Sequence, residues 1–336
     1  MGLWDSYRMR LRRKRLRLRA LRKRHELSPV TDRTAQIRPD HVLVFSTQRN
    51  EMARLPWFLK YYRGLGADHF LFVDNDSDDG SREYLSQQPD VSVWSTGASY
   101  RASRFGMDWM NALLRRHGHG HWTLTVDPDE LLVYPFCDTR PLAGLTDWLD
   151  SCGIKAFPAM LLDMYPKGPI GEATYTPGQD PLEVLPWFDA GNYTISRNWG
   201  YNNLWIQGGP RARVFFRDQP GRAPALNKIP LVRWHRRYVY ASSTHNLLPR
   251  GLNLVFDDMG GEKSSGVLLH TKFLPTFPAK ADEELSRRQH YGDSREYIAY
   301  AAVLDGDADL WCRYSEKYIN WRQLEILGLM SKGNWA

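Results

Sequence analysis

His69-Phe-Leu-Phe-Val-Asp-Asn-Asp-Ser-Asp-Asp-Gly-Ser81 decides the reading of this chain. Five residues, His69 to Val73, form a mostly apolar run short enough for a buried strand. The run passes without a spacer into a polar turn, Asp74 to Gly80, and Ser81-Arg-Glu-Tyr-Leu85 then opens a helix with Ser81 as its cap. The same order precedes it. His41-Val-Leu-Val-Phe45 reads as a strand, Ser46-Thr-Gln-Arg-Asn-Glu51 as a polar turn, and Leu55, Phe58, Leu59 and Tyr62 recur at helical spacing until Gly64 and Gly66. Strand, turn, helix, repeated, predicts an α/β fold with a parallel sheet. Ligands of such sheets bind beyond the carboxyl ends of the strands, where both polar turns lie.

A third strand end follows. After a helix over about 104–117, His121-Trp-Thr-Leu-Thr-Val126 runs into Asp127-Pro-Asp-Glu130. Three carboxylates within four residues repel one another unless paired, and a divalent cation with oxygen ligands relieves them. Ordinary turn chemistry competes for 74–80. An EF-hand is excluded there, because Asp79 stands at the glycine position and Leu85 at the closing glutamate.

Arg49-Asn50-Glu51, Val73 to Ser81 and Val126-Asp-Pro-Asp-Glu-Leu131 resemble the three ordered motifs of bacterial family 2-like glycosyltransferases of the GT-A fold, a Rossmann-like mixed, mainly parallel sheet flanked by helices. The resemblance covers about residues 41–300. It implies a nucleotide-sugar donor, with Arg49, Asn50, Glu51, Asp74, Asn75, Asp76, Asp127 and Lys272 on the donor. It also implies Mn²⁺ or Mg²⁺ flanked by Asp127 and Asp129, with a late-chain His270 near the metal or diphosphate. Many family members have Asp-Asp where this chain has Asp74-Asn75, so Asp74, Asn75 and Asp76 share the nucleoside role. The acceptor implied is a lipid-linked or surface glycan. Any single histidine is more often packed or exposed than a ligand, and His245 is the rival to His270.

An inverting transfer needs a carboxylate near the acceptor hydroxyl. Asp163, after the apolar run Ala159-Met-Leu-Leu162, is the candidate, with Asp189, Asp257 and Asp258 as rivals. Candidate bases for the leaving diphosphate are Arg211, Arg213, Lys228, Arg233, His235, Arg236, Arg237, His245, His270 and Lys272. Residues 167–226 are rich in Gly, Pro, Asn and aromatics, including Trp187, Trp199, Tyr201 and Trp205, and suit an acceptor side. Residues 282–300 have a helical pattern. A metal-dependent phosphohydrolase or nucleotidyltransferase would use the same carboxylates; a non-enzymatic membrane-surface binding protein would not explain them.

Charge divides the 336 residues unevenly. Residues 1–25 hold eleven of the 45 Lys and Arg and only one of the 38 Asp and Glu, leaving 34 bases and 37 acids, net −3, in the rest. Trp4, Tyr7, Leu11, Leu18 and Leu21 fall on one side of a helix, with Met9 and Leu16 opposite. This composition suits a helix on an anionic leaflet, separate from sugar transfer; a solvated tail competes, and nucleic acid is an unlikely partner. The segments expected are a basic helix or tail at 1–27, a linker at 28–40, the glycosyltransferase domain at 41–300 (nucleotide half 41–135, acceptor half 136–280) and a helical extension at 301–336. No apolar run approaches the ~18 residues of a membrane span. Three cysteines without CxxC spacing exclude a disulfide framework and a structural zinc site and fit a reducing compartment. The expected location is cytoplasmic, peripheral on the inner face of the cytoplasmic membrane.

Overall fold

The structure, a computed structural model, describes residues 3–255, 263–287, 300 and 308–335. Its centre is a nine-stranded mixed sheet. In chain order the strands are β1 (Ser28–Thr31), β2 (Val42–Gln48), β3 (His69–Asp74), β4 (Val91–Ser95), β5 (Trp122–Thr125), β6 (Glu130–Val133) and β7 (Ala156–Asp163). Three short strands outside this sheet follow: β8 (Trp187–Asp189), β9 (Tyr193–Asn198) and β10 (Asn203–Gly208). The chain then forms β11 (Asn227–Arg233), β12 (Val239–Ser242), β13 (Asn246–Leu248), β14 (Gly266–His270) and β15 (Ser315–Lys317).

The order across the sheet is β1-β4-β3-β2-β5-β11-β7-β14-β6. β4, β3, β2 and β5 are mutually parallel. β11 runs against both β5 and β7, β14 is parallel to β7, and β6 closes that edge antiparallel to β14. The sheet is therefore parallel from β4 to β5, with β1 antiparallel at that edge, and mixed in its second half.

Both faces are apolar, with the period of two that a strand imposes. Val42, Val44, Phe70 and Phe72 face one layer; Leu43, Phe45, Leu71 and Val73 face the other. Helix α2 (Leu55–Gly64) covers the first layer with Leu55, Phe58, Leu59 and Tyr62. Phe58 meets Phe70 and Phe72 edge-on at 6.5 and 5.9 Å between ring centres, a favoured aromatic geometry. The helix Leu142–Ser151 packs on the same side, and the helix Met107–His117 covers the opposite face. Ser81 begins its helix rather than capping it; Gly80, at φ 87°, is the cap, and the Ser81 hydroxyl accepts from the Glu51 N–H instead.

Three segment expectations change. Residues 28–31 are no linker: β1 pairs antiparallel with β4 as an edge strand, where Pro29 costs little because one side of the strand needs no donor. Residues 308–335 are joined to the body, with β15 paired to β8 and Trp335 stacked on Tyr134 and Trp148. The basic segment is a helix, α1 (Leu3–Lys23), but it is docked. Leu16 and Ala20 are buried, and Leu16, with Met9 against it, packs with Tyr201, Val239, Ala241 and Leu248. Arg19 Nη2 lies 2.8 Å from the buried carboxylate of Asp108. Of the helix expected over 282–300, residues 282–287, the end of the helix Phe277–Arg287, and Tyr300 are described. Among the described residues, no helix is long and apolar enough to cross a membrane.

Candidate functional site

The chain leaves β2 to build β3 and β4 on one side, then returns to place β5 on the other. This reversal opens a crevice beyond the carboxyl ends of β2 and β5, the place where ligands sit in open α/β sheets. A cleft lies there, lined by Gln48, Arg49, Asn75, Asp127, Asp129 and His270 among others.

The first two polar turns are stitched together. The Asn50 N–H donates to Ser77 Oγ at 3.0 Å, and the Asp78 N–H donates to Asn50 Oδ1 at 3.0 Å. The Met52 N–H donates to Asp79 Oδ2 at 2.8 Å. Arg49 donates to the Asn75 carbonyl at 2.9 Å and to that of Asp76. Asn50 and Asp76 are left-handed, at φ 50° and 62°, a conformation that Asn and Asp tolerate better than most residues. Of the expected donor residues, Arg49, Glu51, Asn75, Asp127 and Lys272 line the cleft. Asp74 does not. It is fully buried, accepting from Gln48 Nε2 at 2.8 Å and from the Ser77 N–H at 3.2 Å, and burial raises its carboxyl above the usual range. Its place is to hold the turn, while its neighbour Asn75 faces the cleft. Asp76 is exposed, and Asn50 serves the turn.

Strand register builds the second half of the site. His270 stands opposite Asp163 on one side and opposite Glu130 on the other. His270 Nδ1 lies 2.6 Å from Asp163 Oδ1, and His270 Nε2 lies 3.2 Å from Asp129 Oδ2. Arg211 Nε donates to the second Asp163 oxygen at 2.7 Å. Lys228 contacts Glu130 and lies 3.3 Å from Asp127 Oδ2. Four carboxylates thus surround Lys228, Arg211 and His270.

Burial alone would raise the Asp129 carboxyl, but His270, then Arg54 and Lys272, outweigh it and hold it well below the usual range. Burial lowers the His270 imidazole less than Asp129 and Asp163 raise it. Burial, with Asp127 and Asp129 adding to it, pushes Glu130 up to about 7 against the pull of Lys228.

Asp129, Glu130 and His270 each offer one ligand atom, all within 4.8 Å of one another. Carboxylate and imidazole donors at that spacing fit a divalent cation such as Mn²⁺, or Mg²⁺ on the oxygens. Glu130 was not among the expected ligands. Its signal was the fourth residue of Asp127-Pro-Asp-Glu130, and only the return of β14 makes it a neighbour of His270. Asp127, half exposed, faces Lys228 and stands outside the group of three.

Asp163 is not placed as an acceptor-side base. It is buried behind His270, with one oxygen on His270 and the other on Arg211. Arg211 and His270 overcome burial and keep it ionised. Asp189 is paired with Arg213 and Tyr165, and Asp257 and Asp258 lie outside the described residues. Of the expected bases, Arg211, Lys228, His245, His270 and Lys272 line the cleft; Arg213, Arg233 and residues 235–237 do not. Sequence reasoning passed over Arg54, Lys280, Arg104 and Arg12, which also line it. Arg12 comes from α1 and sits 5.2 Å from the Tyr201 ring centre, so the basic helix forms part of the cleft wall.

No protein-family model matches the chain, and no curated protein matches it in sequence. Among solved structures it is similar to a mannosyltransferase, PcManGT from Pyrobaculum calidifontis in complex with GDP-Man and Mn²⁺, at 16% identity over 89% of this chain and 80% of that one, with a TM-score of 0.32.

Proposed function

We propose that the chain transfers a sugar from a nucleotide-sugar donor to a hydroxyl of a glycan or lipid-linked glycan, with Mn²⁺ or Mg²⁺ held by Asp129, Glu130 and His270. One observation carries this reading: turns from three separate strand ends meet the Asp129–Glu130–His270 group in a single cleft at the point where strand order reverses.

In this reading the nucleoside lies against Arg49, Glu51 and Asn75, and the diphosphate extends toward Asp127, Asp129 and Lys272. The leaving group is a nucleoside diphosphate that gains negative charge as the glycosidic bond breaks. The bound cation would stabilise that charge. Lys228 and Lys272 supply fixed positive charge beside it, most useful when the charge has developed. Asp163 acts through His270: accepting a hydrogen bond from the Nδ1–H, it fixes the ring and turns Nε2 toward Asp129. Asp74 and Asn50 shape the turn against which the nucleoside rests.

The test is a thermal-shift and calorimetric screen of nucleoside diphosphates and nucleotide sugars with and without Mn²⁺. A diphosphate at 100 times its dissociation constant should stabilise the protein by about 2.7 kcal/mol. That stabilisation should need Mn²⁺ and be lost in Asp129→Asn. No nucleotide binding with either metal would overturn the reading. Release of nucleoside monophosphate from the donor would favour a phosphohydrolase or nucleotidyltransferase.

A further inference from the structure

Helix α1 has two faces of different character. Met9, Leu16 and Ala20 point into the body, and Arg19 reaches Asp108. The opposite face carries Trp4, Tyr7, Leu11 and Leu18, which are 69%, 50%, 46% and 47% exposed. At 100° per residue these four fall within an arc of about 60°. Arg15 and Arg22 lie in or beside that arc, and Arg8 and Lys14 border it. All four bases are exposed and make no ion pair with an acid among the described residues. The Trp4 and Tyr7 rings stack on the surface, 5.9 Å apart and 26° from parallel.

We infer that this outward face of α1 is a docking surface for an anionic phospholipid leaflet. An apolar stripe bordered by Lys and Arg is the pattern of a helix that lies in a membrane interface, with aromatic rings at headgroup depth. The body net charge of −3 gives no other reason for attraction to an acidic surface, so the attraction is local to this helix. Nucleic acid would use the bases and the two rings, but it gains nothing from Leu11 and Leu18, whereas insertion among acyl chains does. The inner face stays on the protein, so insertion is shallow.

Tyr201, which packs with Leu16 on the inner face of α1, lies in the turn of the β9–β10 hairpin, where Trp199 is 72% exposed with the Arg197 guanidinium 5.7 Å from its ring centre. Docking also has a consequence for the cleft. Arg12 lines the cleft from the flank of the same helix, so a docked α1 fixes the cleft relative to the leaflet. An acceptor carried by a lipid would then arrive beside the site. Leaflet binding does not depend on the donor reading, and each can fail without the other.

The experiment is vesicle sedimentation of the full chain without nucleotide. It compares phosphatidylglycerol-containing with pure phosphatidylcholine vesicles, at low and high salt. Binding is expected to the anionic vesicles only and to be released by salt. The combined variant Arg8→Gln, Lys14→Gln, Arg15→Gln, Arg22→Gln should bind at least about tenfold more weakly. The combined variant Trp4→Ser, Leu11→Ser, Leu18→Ser should lose binding by a similar factor. Both change exposed positions only and should melt with the wild type. Wild-type-like binding by either variant, equal binding to neutral vesicles, or displacement of the vesicles by a short RNA would overturn the inference.

Discussion

His270 is held between two carboxylates, with Nδ1 2.6 Å from Asp163 and Nε2 3.2 Å from Asp129. The first contact comes from the interior, where Asp163 is also gripped by Arg211; the second faces the cleft. The two carboxylates therefore have different work. Asp163→Asn should weaken Mn²⁺-dependent nucleoside diphosphate binding by about ten- to a hundredfold, the usual loss for a group that orients a ligand. A base serving only the acceptor would leave that affinity unchanged. Calorimetry of nucleotide binding with Mn²⁺ distinguishes the two.

Lys228 lies between Asp127 and Glu130, and its side chain is only 6% exposed. Removing the ammonium strands a buried carboxylate. Lys228→Met should therefore cost about 3–5 kcal/mol in metal-free urea unfolding. Adding Glu130→Gln should restore much of the loss, because a buried pair costs more to break than to replace. If the double variant is no more stable than the single one, the pair does not hold this part of the sheet.

Asn50 occupies the left-handed region at φ 50° and accepts from the Asp78 N–H. Asn50→Ala should cost about 1–2 kcal/mol through backbone strain and lose the bond as well. Asn50→Gly loses the bond but not the conformation, so it should be the more stable of the two. Their order in thermal melts checks this. Equal melting points would mean that the turn relaxes to another conformation.

His69 tests burial rather than function. It is 2% exposed on β3, with Nε2 2.9 Å from Ser92 Oγ, and burial pushes its imidazole down to about 4. In the unfolded chain it titrates near 6.5. The folded state therefore resists protonation. Its contribution is complete above pH 6.5 and is lost as pH falls from about 6.5 toward 4. Over that window the loss is roughly 3 kcal/mol. Urea unfolding of His69→Gln should fall less steeply between pH 7 and pH 4 than that of the wild type. Parallel slopes would show that His69 is not the group responsible.

The parts of the fold that were legible share a physical cause. β2, β3 and α2 are contiguous, and their apolar period is set by immediate neighbours, so Leu55, Phe58, Leu59 and Tyr62 could be placed from spacing alone. The pairing of β14 with β7 and β6 joins residues more than a hundred positions apart, and no local pattern encodes that register. His270 and Asp163 were thus visible as polar ends of apolar runs, while their contact, and the place of Glu130 beside them, was not. Asp74 misled because a turn carboxylate looks the same whether it faces a ligand or caps its own backbone. Pro29 and Pro39 suggested a linker, although an edge strand accommodates proline as well.

The basic helix misled for the opposite reason. Its strongest apolar arc points outward, and Met9 and Leu16, which looked like blemishes in the pattern, are docking contacts. Removing residues 3–23 should therefore do more than abolish attraction to a membrane. It uncovers the small core of Tyr201, Val239, Ala241 and Leu248, and it takes Arg19 from Asp108, which is fully buried and retains Arg104 at 3.2 Å. It also removes Arg12 from the cleft wall. Leu16→Ala isolates the packing term. At about 2–5 kcal/mol for a buried leucine, and roughly 1.4 °C per kcal/mol at about 2.1 cal/mol/K of unfolding entropy per residue, its melting point should fall by several degrees. Arg12→Ala should leave the melting point near wild type, because its guanidinium lies over the Tyr201 ring at the cleft wall and is not part of the packed face of α1. If the 3–23 deletion melts like the full chain, the docking of α1 contributes nothing to stability, and its inner face needs another explanation.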